Sequence, residues 1–257
     1  MKVAATTKIV DPQLMEFDSD FWKVRIGRAG TVDGLSRWAA ENTVGLIWLL
    51  VDADKPEEAQ RAEEQGFRLM DVRVTLERVT GAALREKKVV AKMIDSDLPE
   101  VIEIARGAHR ITRFYADSLL PDDRCDDLYE SWVRQSYEGW ADAVFVSLTD
   151  ERGPVGYVTV HVDGDIGSIG LIAVHERCRS LGLGRELVWA AIDHAWRRGC
   201  KRITVVTQGR NVAALRLFEG CGFRITNTSL WLHKWTGKAG SPFPVPQTQD
   251  SEEGFYG

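Results

Sequence analysis

The stretch Gly170–Arg185 reads GLIAVHERCRSLGLGR: an apolar run, then a loop carrying Arg179, Gly182 and Gly184, then the start of a long amphipathic segment. Glycines let a backbone come close to a ligand. The first turn of a helix offers N–H groups with no intrahelical acceptor, together with about half a positive charge from the aligned peptide dipoles. The combination is an anion cradle suited to a phosphate or pyrophosphate. Arg177, Arg179 and Arg185 reinforce its sign. No GK[ST] follows and no GxGxxG is present, so this is neither a Walker loop nor a dinucleotide fingerprint. A tight turn alone would also account for the two glycines.

Other residues could move protons or hold an acceptor. His161 lies in the strand-like run Tyr157–Val162, and an imidazole with an ordinary pKa of about 6.5 suits a general base. The alternative is a strand histidine with no chemical role. Tyr157 is a candidate acid, or a core aromatic. Arg113 and Phe114 pair a cation fit for a diphosphate with a ring fit for a base or sugar; a surface ion pair and a core Phe are the plainer reading. Trp22, in the segment FDSDFW, and Gln208 are further acceptor candidates. His109 and His194 fall in helical segments and read as packing or surface residues. Asp117, Asp122 and Asp123 do not have the pattern of a metal site, and no metal is expected.

The spacing Arg179-x-x-Gly182-x-Gly184 resembles the acetyl-CoA pyrophosphate loop of the GCN5-related N-acetyltransferase (GNAT) superfamily. Some thirty residues on, Asn211-x-x-Ala214-x-x-x-Phe218-Glu219-x-x-Gly222-Phe223 resembles that superfamily's second CoA motif, N-x-x-A-x-x-x-Y-x-x-x-G-F. The likeness spans roughly residues 89–235. It implies a splayed central sheet and acetyl transfer from acetyl-CoA to an amine. It also implies that backbone N–H groups between Leu181 and Glu186 (Leu181, Gly182, Leu183, Gly184, Arg185, Glu186) hold the pyrophosphate, reinforced by Arg179. By the same likeness Leu171, Ile172, Ala173 and Val174 run beside the pantetheine arm. Asn211 either touches that arm or caps the next helix, and Ala214 and Phe218 belong to the CoA site. Phe218 stands where the superfamily often carries a Tyr that protonates the thiolate, and Phe has no proton to give. Shorter likenesses at Phe17–Trp22, Glu64–Leu69, Thr112–Phe114 and Thr207–Leu215 are similar to members that acetylate TDP-linked amino-dideoxy sugars. They imply a nucleotide-linked amino sugar as acceptor. Another small amine, a protein N-terminus, or CoA binding without turnover are the alternatives.

The elements that position these residues follow from periodicity. In residues 1–84, Gly45–Val51 reads as a strand, Pro56–Gln65 as a helix stopped by Gly66, and Phe67–Glu77 as a strand, which makes a small α/β domain. The charged stretch Arg85–Lys88 separates it from residues 85–236. There, Val89–Met93 reads as a strand, Leu98–Arg110 as a helix, Arg110–Asp127 as a long irregular stretch, and Tyr129–Gly139 as a helix. Ala143–Leu148, Pro154–Val162 and Gly167–Val174 follow as strands. Then come the helix Leu183–Arg198, the strand Arg202–Thr207, the helix Ala213–Glu219 and the strand Ser229–Trp235. That succession gives a mixed α/β (α+β) fold. Residues 237–257, rich in Pro, Gly and polar groups, read as a mobile tail.

Composition sets the outer bounds. The chain has 257 residues, of which 44% are apolar and 28% charged, enough for a substantial core. Its formal charge of −5 argues against general nucleic-acid binding. Cys125, Cys178, Cys200 and Cys221 show no CxxC spacing and suit a reducing compartment. With no apolar run long enough to span a bilayer, the expectation is a cytoplasmic protein, and exposed sheet edges allow a homodimer.

Overall fold

The computed structural model describes residues 12–81, 90–149 and 153–237. The expected boundary stretch Arg85–Lys88 and most of the expected tail lie outside these residues. In chain order the elements are β1 (Gln13–Leu14), α1 (Glu16–Trp22), β2 (Ile26–Ala29), α2 (Leu35–Glu41), β3 (Leu46–Asp52), α3 (Pro56–Glu64) and β4 (Arg68–Val79). They continue with β5 (Val90–Lys92), α4 (Leu98–Ala108), α5 (Arg113–Ala116), α6 (Asp122–Gln135), β6 (Ala143–Thr149), β7 (Gly153–Asp163) and β8 (Ile166–Val174). The last are α7 (Leu183–Arg197), β9 (Arg202–Gln208), α8 (Val212–Gly220) and β10 (Arg224–Trp235). No helix among the described residues is long and apolar enough to cross a membrane.

One ten-stranded sheet runs in the order β1-β2-β3-β10-β4-β9-β8-β7-β6-β5. The two sequence blocks are therefore interleaved. β10, from the end of the chain, lies between β3 and β4, and β4 lies between β10 and β9. β8 and β9 are parallel, joined by α7 as a crossover helix.

Alternation along β7 shows how the two faces are filled. Tyr157 joins a core with α4, α5 and α6, whereas Val158 and Val160 join a core with α7 and α8. α7 is the best-anchored helix: Leu187, Val188, Ala191, Ile192 and Ala195 are all buried against the sheet. Each fully buried Leu, Val or Ile side chain contributes about 1.5–3 kcal/mol. α2 and α3 cover β3 and β10 on the same side as α7 through Leu49, Val51 and Leu232.

Three expectations need correction. The stretch Arg110–Asp127 is mostly helical: α5 is short, and α6 begins at Asp122 rather than near Tyr129. Pro121 directly before it, and Asp122 and Asp123 in its first turn, favour that start through the proline's fixed φ and the helix dipole. β10 begins at Arg224, ahead of the expected Ser229, because its polar first residues pair with β4. The N-terminal block also contains α1, β2 and α2, which are too short for periodicity to reveal.

Candidate active site

Parallel pairing of β8 with β9 ends at Ile169 opposite Val205, and beyond that point the two strands separate. The cause lies on the other edge of β8. There Gly170 and Leu171 together face the single residue Thr159 of β7, a bulge that bends the strand. Thr159 Oγ1 accepts the Leu171 N–H at 2.8 Å. A Cβ on Gly170 would come within 2.6 Å of His161 Nε2 and 2.7 Å of Thr159 Oγ1, so only glycine fits. Thr159, His161 and Gly170 interlock at the crotch of the splay.

The opened edge of β8 is a strand without a neighbour. Leu171 and His175 both turn their N–H groups toward β7, the latter donating to Val155 O at 2.8 Å. Alternation then aims the amides of Ile172 and Val174 into the gap, where an extended chain bearing amides can pair with them. Leu171 and Ala173 point to the α4–α6 core.

At the far end of that edge, Gly182 takes φ 85° as the residue before α7. Arg185 N–H and Glu186 N–H already donate to Gly182 O, at 3.0 and 3.2 Å. The expected run of amides at 181–186 therefore narrows to those preceding the first helical acceptor, at Gly182, Leu183 and Gly184. Gly184 is needed for packing, since a Cβ there would lie 3.3 Å from Leu217 of α8. Arg179 folds back to donate to Val174 O at 3.3 Å, and Leu181 is 69% exposed. Asn211 is a cap: its side chain accepts Ala214 N–H at 3.2 Å. Phe218 is buried against Phe223, with ring centroids 5.7 Å apart, so it belongs to the core beneath α8.

The other expected residues lie on the α4–α6 face. Tyr157 is fully buried and its hydroxyl lies 2.8 Å from His109 Nε2. The His109 ring stacks on Tyr129 at 4.5 Å, and Tyr129 donates to Thr112 Oγ1 at 3.1 Å. Burial pushes the Tyr157 phenol well above 10 and lowers His109 to about 4. His161 is buried edge-on to Trp140.

Trp22 and Phe114, expected at the acceptor, are walls instead. Trp22 has no exposure and stacks on Phe114, which is itself buried. Their apolar rings gain more from the α4–α6 core than a solvent-facing position would give.

Arg113, half-buried, and Gln208 are the expected acceptor residues that share one sheet-side face. The Arg113 guanidinium lies 3.9 Å from the Trp48 ring and 4.3 Å from that of Trp231, and Nη1 is 3.0 Å from His233 Nε2. His233 Nδ1 is 2.8 Å from Asp117 Oδ2, and Trp235 Nε1 donates to the same carboxylate at 3.1 Å. A guanidinium only donates, so Nε2 is the acceptor and the proton sits on Nδ1, donated to Asp117. Burial lowers His233 to about 4, and this neutral tautomer is the one that remains. The same sheet face carries Arg28, Asp71, Arg73 and Trp231, with Gln208 paired to Arg73 across β9 and β4. Arg210 donates to Thr112 O at 3.3 Å. A separate cavity of about 640 Å³ has Glu100, Glu103 and Glu130 on its walls beside Arg134, His175 and Arg177, a poor lining for a polyphosphate.

Sequence reading missed Thr159, His233 and Asp117 as site residues. Thr159 had a signal, because Tyr157, Thr159 and His161 alternate on one strand face. Asp117 and His233 are 116 residues apart and had none.

A model of the Acetyltransferase (GNAT) family matches residues 100–223. The chain is 32% identical over 121 residues to N-alpha-acetyltransferase 30 of Saccharomyces cerevisiae, covering 43% of this chain and 69% of that protein. The chain belongs to the GNAT family of acetyltransferases. It is also 27% identical over 206 residues to dTDP-fucosamine acetyltransferase of Escherichia coli O6:H1, covering 79% of this chain and 85% of that one. Its fold matches a GCN5-related N-acetyltransferase from Sphaerobacter thermophilus with a TM-score of 0.60 at 13% identity, over 87% of this chain and 76% of the other. This GNAT protein is thus an acetyl-CoA-dependent N-acyltransferase. The splay, the outward amides of β8 and the first turn of α7 follow one another along a single opened edge.

Proposed function

We propose that this enzyme transfers the acetyl group of acetyl-CoA to the amine of a nucleotide-linked (TDP) amino-dideoxy sugar. The observation that carries this reading is Arg113. It is clamped between Trp48 and Trp231 and oriented by His233 on a face built by β2, β3 and β4 together with β10, all four outside the stretch matched by the family model. The N-terminal block thereby frames the acceptor side of the splay. A relative named dTDP-fucosamine acetyltransferase that aligns over 79% of the chain supports the same reading.

In the reaction the amine nitrogen attacks the thioester carbon, the carbon–sulfur bond breaks, one proton leaves the nitrogen and one is gained by the thiolate. His161, at the crotch, takes the first. The second comes from solvent, to which His161 later returns its own; Tyr157, the expected acid, is fully buried with its hydroxyl on His109 and is not placed to donate. Phe218 takes no part in proton transfer. A cytoplasmic enzyme is the location that goes with this reading.

The test is thiol release from acetyl-CoA with a panel of TDP-linked 4-amino and 3-amino dideoxy sugars. Release that depends on one of them is the expected result. Release with peptide N-termini or simple amines, and with none of the panel, would overturn the reading.

A further inference from the structure

Three arginines share the proposed acceptor face from separate elements, Arg28 of β2, Arg73 of β4 and Arg113 of α5, and Arg73 feels the charge of Arg28. Arg28 lies 5.5 Å from the Trp231 ring, whose indole Arg113 also approaches. Arg28 Nε is buried and makes no hydrogen bond. Arg73 is destabilised as a cation by burial and by the charge of Arg28, and falls to about 10. Arg113 falls to about 9, chiefly from burial. Among the described residues, none of the three reaches a carboxylate as an ion pair.

The carboxylates that face them are few. Asp18 feels both Arg28 and Arg113, yet burial raises its own pKa. Asp71 is pushed up to about 6 by burial, and its Oδ1 is unpartnered. Asp52 already accepts from Asn227 and Ser229, at 3.1 and 3.2 Å. Gathering like charges away from water without a carboxylate in ion-pair contact is unfavourable. The arrangement is complete only with an anion that brings several acceptor oxygens.

We propose that Arg28, Arg73 and Arg113 form a diphosphate-binding site for the nucleoside-diphosphate portion of the acceptor, with the Trp231 indole against Arg28 and Arg113. Planar guanidiniums match phosphate oxygens two at a time. The spacing also suits the chemistry. Thr75 is opposite Val206, the first β9 residue past the crotch, and Arg73 is opposite Gln208. Arg73 is therefore one strand over and two residues along, roughly 8–10 Å from the crotch, about one sugar ring and its bridging oxygen. The site deepens the acceptor reading above and rests on it for the sugar, though not for the diphosphate.

The test titrates thymidine diphosphate, inorganic pyrophosphate and thymidine into the full chain already saturated with CoA, so that the loop before α7 is filled. Thymidine diphosphate and pyrophosphate should bind, and thymidine should bind at least about tenfold more weakly than its diphosphate. Arg28→Met and Arg73→Met should each weaken thymidine diphosphate about tenfold or more, the loss expected for a charged hydrogen bond, with CoA affinity unchanged. Without ligand, both variants should melt no lower than the wild type, because an unpaired buried cation is gone. If Arg73→Met fails to bind CoA, Arg73→Lys carries the test, keeping the charge and losing the fork. No binding of thymidine diphosphate to the CoA-loaded wild type, or affinities within about twofold of it in the variants, would overturn the site. Arginine-dependent diphosphate binding without acetylation of any TDP-linked amino sugar would uphold the site and remove the amino-sugar reading. Acetylation with an unchanged acceptor KM in both variants would do the reverse.

Discussion

His233 places the Arg113 guanidinium: its Nε2 accepts from Nη1 at 3.0 Å, while its Nδ1 donates to Asp117 at 2.8 Å. The direction of Arg113 thus depends on a carboxylate that never touches it. Replacing Asp117→Ala leaves the His233 Nδ1–H and the Trp235 Nε1–H without their acceptor. The acceptor KM should rise roughly tenfold with a smaller change in kcat, and stability should fall by about 1–3 kcal/mol. Steady-state kinetics with denaturant unfolding measure both. Equal losses in kcat and kcat/KM would mean that the relay does not act through acceptor binding.

Gly170 is the one residue that fits between Thr159 and His161. In Gly170→Ala the new methyl must displace the Thr159 hydroxyl and the His161 imidazole, at about 1–3 kcal/mol, and the bulge that opens the splay must shift. Acetyl-CoA affinity and rate should both drop. A variant with wild-type melting and wild-type kinetics would contradict the interlock.

Gly182 meets nothing within 4 Å, so steric contact does not require glycine there, but its φ of 85° does. In Gly182→Asp strain and a carboxylate are added at the mouth of the anion cradle. Calorimetry should show CoA binding abolished while the melting temperature falls only modestly. Unchanged CoA affinity in the folded variant would move the pyrophosphate site elsewhere.

Phe218→Tyr would seem to restore a missing acid. Phe218 is 1% exposed against Phe223, so the new hydroxyl enters an apolar core. The expected result is no gain in rate and a loss of about 1–3 kcal/mol in stability. A clear rise in kcat would show that the ring edge reaches the leaving thiolate.

Acid should weaken the fold through its buried histidines. His233 is lowered to about 4 from 6.5 because burial disfavours its cation. Its contribution is fully present above pH 6.5 and is lost as pH falls toward 4, where the unfolded chain binds a proton that the folded one refuses. The full amount is on the order of 3 kcal/mol. Asp71, raised to about 6, works in the opposite sense between pH 6 and 4. Unfolding free energies of the wild type and of His233→Gln should therefore converge as pH falls below 6.5. Parallel curves would mean that His233 titrates normally.

The sequence by itself determined the glycine loop and helix proposed to hold acetyl-CoA. Strand, glycine loop and helix 170–197 are contiguous, and the positive φ of Gly182 and the first amides of α7 are local, while Val155 and Leu217 pack the loop from elsewhere in the chain. Periodicity and φ preference are local properties, so they are written in neighbouring letters. Even there tertiary packing decided the roles of Asn211 and Phe218, because capping and burial depend on what lies above and below. Only the tertiary structure decided the acceptor face. β4 enters the sheet between β9 and β10, and Arg28, Arg73, Arg113 and His233 meet from positions spread over most of the chain. Trp22 and Phe114 carry the same aromatic signal as Trp231, yet packing sent them to the core and left Trp231 beside the arginines. Non-local strand order and competition for buried volume are properties of the whole chain, and no single segment records them.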